Sequence, residues 1–210
     1  MWFDFKTLPR RSKYKLLTAT VVPRPIALVT SLNFDGTVNT APFSFFNVFS
    51  EEPALVVLGL EGGPDGTRKH TTENIRERGE FVVNLVDEAI ADAMVRCAAR
   101  LPKNVSELPF AGLSTAPSKL IDTPRIAEAP ISLECRSYKN LEVSETRTLA
   151  IGEVLAMAVR DGIVDPETLR LDWDRYNPIG RLYANRYVRL HDWFEMSIPE
   201  PDDGDLQGSG

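Results

Sequence analysis

Residues 24–47 read RPIALVTSLNFDGTVNTAPFSFFN, and the way this stretch changes character decides the fold. Ile26 to Ser31 carries apolar residues on both alternations, which predicts a strand covered on both faces. Asp35-Gly36 then predicts a turn, since glycine accepts positive φ without steric cost. The returning segment sets Asn39, Thr40, Ser44 and Asn47 among Ala41, Pro42, Phe43, Phe45 and Phe46. Burying short polar side chains beside aromatic rings is costly unless something pairs with them. Two readings follow: a strand with ordinary turn polars and core phenylalanines, or the wall of a bound cofactor.

Upstream, Pro23 and Pro25 flank Arg24 and push the chain into extended geometry. A short amphipathic helix carrying Arg10, Arg11, Lys13 and Lys15 before Leu16 and Leu17 is therefore expected to stop near Thr20. Residues 1–23 read as a helical lead-in, 24–198 as one domain, and 199–210 as an acidic tail. That tail, with Asp202, Asp203 and Asp205, has too little apolar surface to be expected to order.

Downstream, Ala54–Leu60 and Glu80–Val86 are short, doubly apolar strand runs. Between them lie the glycine-rich Gly62–Gly66 and a helix expected from about Thr71 to Gly79, a glycine placed as a helix C-cap. Asp87 is expected to cap a further helix with an apolar stripe of Ile90, Met94, Val95 and Ala98. Residues 101–130 hold five prolines and predict a long excursion, with a short helix or turn near Ser106–Gly112. Ile131, Leu133 and Cys135 alternate with polar residues as in a half-buried antiparallel strand, and Leu149–Val159 predicts a longer one. Asp165-Pro166 looks like a helix start, Asn177-Pro178 and Gly180 like breakers, and Arg189–Met196 like a last strand. The fold class expected is mainly β with helical additions (α+β), closed as a small barrel to remove exposed edges.

The formal net charge of −6 argues against a general nucleic-acid binder, and no apolar run approaches the roughly 18 residues of a membrane span. Cys97 and Cys135 stand without metal spacing, so a reducing cytoplasm with neither zinc nor a disulfide framework is expected. With His70 and His191 the only histidines, no metal site is expected.

Neither a Gly-Lys-Ser/Thr phosphate loop nor the G-x-G-x-x-G fingerprint follows the glycine-rich segment. What remains is Arg68-Lys69-His70-Thr71-Thr72 at a helix start. Either Thr71 caps the helix while the cations face water, or the free N–H groups and the cations hold an anion such as a phosphate.

The combination RPIALVTS, D-G, NTAPFSFFN, EPALVVL, KHTTENI and GEFVVNL closely resembles the flavin reductase-like, FMN-binding split-barrel proteins. The resemblance implies a Greek-key split barrel that binds FMN, as a homodimer with each flavin near the subunit interface. It implies Thr30 and Ser31 beside the flavin, and Asn39, Ala41, Pro42, Phe43, Ser44 and Asn47 around ring and ribityl chain. Lys69 and Thr71 match positions near the phosphate, with Arg68 as helper, whereas His70 stands where the family often has an acid. The implied reaction moves hydride from NADH or NADPH to flavin, with reduced flavin supplied to a partner such as a monooxygenase. Backbone N–H groups near Ala41–Ser44 or the Arg24 side chain are candidate donors to the ring. The Arg-, Tyr- and Asn-rich 176–187 segment reads either as a solvated loop packed on the barrel, or as a pocket wall with Tyr183 over the ring and Arg181 or Arg186 on a nicotinamide-cofactor phosphate. A flavin carrier or sensor, and an oxidase or oxygenase of a small organic substrate, are the competing readings.

Overall fold

The decisive stretch folds into three strands rather than two. The structure, a computed structural model, describes residues 1–62, 67–99, 101–102 and 105–199. A lead-in helix α1 (Arg10–Thr20) precedes β1 (Ala27–Leu32), β2 (Val38–Phe43) and β3 (Phe46–Glu51). β4 (Ala54–Glu61), α2 (His70–Arg78), β5 (Glu80–Leu85) and a 3-10 turn at Glu88–Ile90 follow. The chain continues through α3 (Ala91–Arg96), α4 (Glu107–Ala111), β6 (Thr115–Ala116), β7 (Arg125–Ile126), β8 (Ile131–Ser144), β9 (Arg147–Val159), β10 (Ile179–Arg181) and β11 (Tyr187–Arg189). Residues 200–210 of the expected tail and the segment 63–66 lie outside the described residues.

Seven strands form one antiparallel sheet in the order β2-β1-β5-β8-β9-β4-β3. After β2, β3 and β4, the chain returns in β5 to lie beside β1, a Greek-key connection. The outermost strands, β2 and β3, are consecutive in the chain and joined only by Ser44-Phe45. The sheet must therefore roll until its two edges meet at that link, where the Gly59 N–H donates to the Phe45 carbonyl at 2.7 Å. β2 and β3 do not pair along their length, so the barrel is split.

The β1–β2 turn falls at Asp35-Gly36 as expected, with Gly36 at φ +82° and the Asp35 carboxylate accepting from the Thr37 N–H and hydroxyl. β1 is covered on both faces. Ala27 and Val29 join Phe43, Phe81 and Val83 inside the barrel, while Ile26 and Leu28 pack with Val86, Met94 and Ile126 in a second core outside it. Gly152 in β9 is required by close approach, because a Cβ there would lie 2.4 Å from Cζ of the buried Phe81 ring.

Several local expectations are corrected. Asp87 makes no side-chain cap; instead Oδ2 accepts from Arg160 at 2.9 Å, tying the end of β5 to the end of β9. The buried stripe of the following segment is Ile90, Met94 and Cys97, whereas Val95 and Ala98 are exposed. The first half of β8 is buried on both faces, since the excursion covers its polar side and Glu134 accepts the Lys119 and Leu120 N–H groups at 2.7 and 2.8 Å. Asp165 opens a turn rather than a helix: its N–H donates to the Arg170 carbonyl, and Val164 pairs with Leu171. Gly180 lies within β10, where a Cβ would meet Pro23 at 2.7 Å, and the last strand is β11, ending at Arg189, the first residue of the expected 189–196 run. The Ser106–Gly112 helix matches, with the Ser106 hydroxyl accepting from Leu108 N–H and Gly112 left-handed at φ +72°.

Candidate functional site

The period of two along β1 and β2 divides the residues expected to share one pocket. Ser31, Asn39, Ala41 and Phe43 face the side on which α2 sits, and Thr30, Pro42 and Ser44 face the other.

On the first side a buried network locks the opening turn of α2 to the strands. Ser31 Oγ accepts from Asn39 Nδ2 at 3.3 Å and Asn74 Nδ2 at 3.1 Å. Asn39 Nδ2 also donates to Thr71 Oγ1 at 2.9 Å, and Asn74 to Asn33 Oδ1 at 2.9 Å. Thr71 is only 1% exposed, so its hydroxyl fixes the helix start from within. Lys69 is exposed, with its ammonium 5.8 Å from the centroid of the Phe43 ring, and no carboxylate among the described residues pairs with it. The first N–H groups of α2 have no acceptor inside the helix, and with the helix dipole and Lys69 they form a donor set suited to an anion. Arg68 is already engaged elsewhere, its Nη2 donating to both carboxylate oxygens of Glu142 at 2.8 Å.

On the second side, Thr30 donates to the Pro124 carbonyl at 2.7 Å and is fully buried, tying β1 to the excursion. Pro42, Phe43 and Ser44 border a cleft of about 340 Å³ between α1, β2, α3 and the β10–β11 turn. Arg24 sits at its base, only 8% exposed. Its guanidinium donates to the Thr18, Val21 and Leu182 carbonyls at 2.7, 2.9 and 2.8 Å, and more weakly to Ser44 Oγ at 3.4 Å. Arg24 thus clamps α1 and the 182 loop to β1, leaving at most one N–H for a ligand. Burial lowers its pKa from the usual guanidinium range; nearby Tyr14 opposes that shift and Arg181 adds to it.

Tyr183 and Asn47 fall outside both groupings. Tyr183 is 42% exposed, its hydroxyl accepts from Arg186 at 2.7 Å, and the Arg186 guanidinium lies 4.9 Å from its ring centroid. Asn47 borders a separate apolar groove with Leu17, Val21, Phe45 and Phe49.

Two contributions were not anticipated. Tyr14 and Thr18 of the lead-in helix line the cleft, and their i, i+4 spacing on one helix face was the available signal. Glu107, in the long excursion, accepts the Thr40 N–H at 2.8 Å, while the Thr40 hydroxyl is buried without a partner. Burial raises the Glu107 pKa above 4.5. The folded state therefore holds this proton more tightly than the unfolded chain, and the associated stability is lost as pH rises from about 4.5 through the folded value. Glu107→Gln keeps an acceptor for Thr40 and should flatten the melting temperature over that window. Parallel melting profiles for the two proteins would refute this.

The sequence pattern of the flavin reductase like domain matches residues 19–180. An uncharacterized protein of Aquifex aeolicus is 40% identical over 189 residues, covering 90% of this chain and 95% of that one. Among solved structures, the 2-nitrobenzoate 2-nitroreductase NbaA of Pseudomonas fluorescens superimposes with a TM-score of 0.87 at 41% identity, covering 97% of this chain and 100% of that one. The nitrilotriacetate monooxygenase component B of Bacillus cereus gives 0.87 at 34% identity, covering 93% and 98%. With more than half of its length inside the family's domain pattern, and split-barrel topology around the clefts just described, the chain belongs to the flavin reductase-like family.

Proposed function

We propose that this protein is an FMN-dependent oxidoreductase that takes hydride from NADH or NADPH. The observation that carries the reading is the opening of α2, where the Lys69 ammonium lies 5.8 Å from the Phe43 ring centroid and the His70 and Thr71 N–H groups precede the first bond within the helix, from Thr72 N–H to the Lys69 carbonyl. Lys69 and those N–H groups would hold the phosphate of FMN, while Thr71 and Asn39 keep the helix start in place. Phe43, shared by the α2 side and the cleft, would stand against the ring system. One monophosphate suits this single helix start, and no dinucleotide fingerprint is present. Bound FMN would supply hydride acceptance and onward electron transfer; the chain's task is to orient it and to place positive charge nearby.

Electron delivery to a monooxygenase is one outlet for such chemistry, matching the name of the 34% identical Bacillus cereus relative. Direct reduction of a small organic acceptor is the second reading, favoured by the 41% identical nitroreductase. In both, the protein works in a reducing cytoplasm as a homodimer, whose contact would cover the exposed Phe45, Val48 and Phe49 of the barrel edge. Light scattering that returned the monomer mass, 23.4 kDa, would remove the dimer from this account.

Denaturing the purified yellow protein should release FMN rather than FAD, and anaerobic NADH or NADPH should bleach the bound flavin within the mixing experiment. Bound flavin that neither cofactor bleaches would make the protein a carrier instead.

A further inference from the structure

We infer that the cleft between α1 and the β10–β11 turn is a binding site for a small aromatic carboxylate, held by Arg181 with Arg24 behind it. This rests on the flavin reading only where a reducible substituent on that ring, and not its carboxylate, takes the hydride and two electrons that reduced FMN gives up in returning to its oxidised form.

The chain carries a surplus of acids, 30 against 24 basic residues, yet among the described residues no Asp or Glu lines this cleft. Two guanidiniums do. The carbonyls around Arg24 satisfy its hydrogen bonds but not its charge, and no carboxylate among the described residues pairs with either arginine. Buried charges are ordinarily matched by an opposite one, because desolvating a lone ion is expensive. Two like charges side by side raise that cost, and their mutual repulsion is felt at Arg24. A structure that keeps both beside an open cleft is complementary to an incoming anion.

The rest of the cleft specifies the anion's body. The Arg181 guanidinium carbon lies over the Tyr187 ring, 4.5 Å from its centroid, and its Nη2 donates to the Ala184 carbonyl. Nη2 carries two N–H groups and gives one to Ala184, so the other still pairs with Nε or Nη1 as a fork matched to a carboxylate. Around it stand Tyr14, Phe43 and Met94, flat or apolar surfaces suited to a ring, with the Asn185 amide as a polar neighbour. A volume of about 340 Å³ lies at the lower end of small-molecule sites and fits one substituted ring rather than a dinucleotide.

Titration calorimetry of the FMN-loaded protein with benzoate, benzamide and 2′,5′-ADP tests this. Benzoate should bind without displacing FMN, benzamide at least about tenfold more weakly, and Arg181→Gln should weaken benzoate by roughly ten- to hundredfold while leaving benzamide unchanged. Arg181→Lys, which keeps the charge but not the fork, should fall between. Equal affinities for benzoate and benzamide, or no response to Arg181→Gln in a variant that melts like the parent, would overturn the site. Displacement of FMN by benzoate would make the cleft the seat of the flavin itself, and Arg181-dependent binding of 2′,5′-ADP without benzoate would assign it to a nicotinamide-cofactor phosphate; either overturns the proposal. Arg181-dependent benzoate binding by a protein that takes up no flavin would leave the anion site standing and remove the flavin reading.

Discussion

Replacing Asn84 with Leu should lower folding stability by about 3 kcal/mol or more, the largest loss we expect from a single polar side chain in this chain. Asn84 lies in β5 and is fully buried. Its amide nitrogen donates to the Leu28 carbonyl at 2.9 Å and to Thr30 Oγ1 at 3.3 Å, and its oxygen accepts from the Ile126 N–H and the Ser132 hydroxyl, both at 2.9 Å. One side chain therefore joins β1, β5, β7 and β8, and holds the long excursion against the sheet. Leucine keeps the branched shape of asparagine but is bulkier, so overpacking at this fully buried position adds to the loss. The larger part comes from taking this partner from the Leu28 carbonyl, the Ile126 N–H and the Ser132 hydroxyl where water does not reach, at about 1–3 kcal/mol for each buried group that finds no substitute, whereas the Thr30 hydroxyl keeps its bond to Pro124. Chemical denaturation should show a lower midpoint with an unchanged slope. A midpoint within about 1 kcal/mol of the parent would mean that the excursion is not held through this residue.

The same residue shows what was legible in the sequence and what was not. EFVVNLV reads as a buried strand because its apolar residues occupy both alternations, and β5 is that strand. Nothing local announces that Asn84, set within the run, is the hub; its partners come from positions 28, 30, 126 and 132. Likewise RPIALVTS gave β1, and Ser106 with Gly112 bounded α4, because those signals are carried by neighbouring residues. Arg68 looked available for an anion until the fold brought Glu142 onto it from 74 positions away. Thr30 and Ser31 looked like one site because they are adjacent, yet adjacency in a strand places side chains on opposite faces. The β10–β11 hairpin is masked by Asn177, Pro178 and Gly180, breakers by propensity, of which Gly180 here allows close approach to Pro23.

Replacing Lys69 with Ala should weaken FMN binding by roughly ten- to hundredfold, equivalent to about 1.5–3 kcal/mol for one charge-assisted contact. Fold stability should hardly change, because Lys69 is exposed and the helix start is fixed by Thr71, Asn39, Ser31 and Asn74 instead. Riboflavin separates the phosphate from the ring. Lacking the phosphate, it should bind the parent and the Lys69→Ala variant alike, apart from a few tenths of a kcal/mol if the lysine also steadies Phe43 from 5.8 Å. Arg68→Ala supplies the contrast, since Glu142 already neutralises that guanidinium and its removal should change FMN affinity far less. Equal losses for riboflavin and FMN would move Lys69 from the phosphate to the ring. Equal losses for Lys69→Ala and Arg68→Ala would show that net charge at the opening of α2, rather than a placed ammonium, attracts the anion.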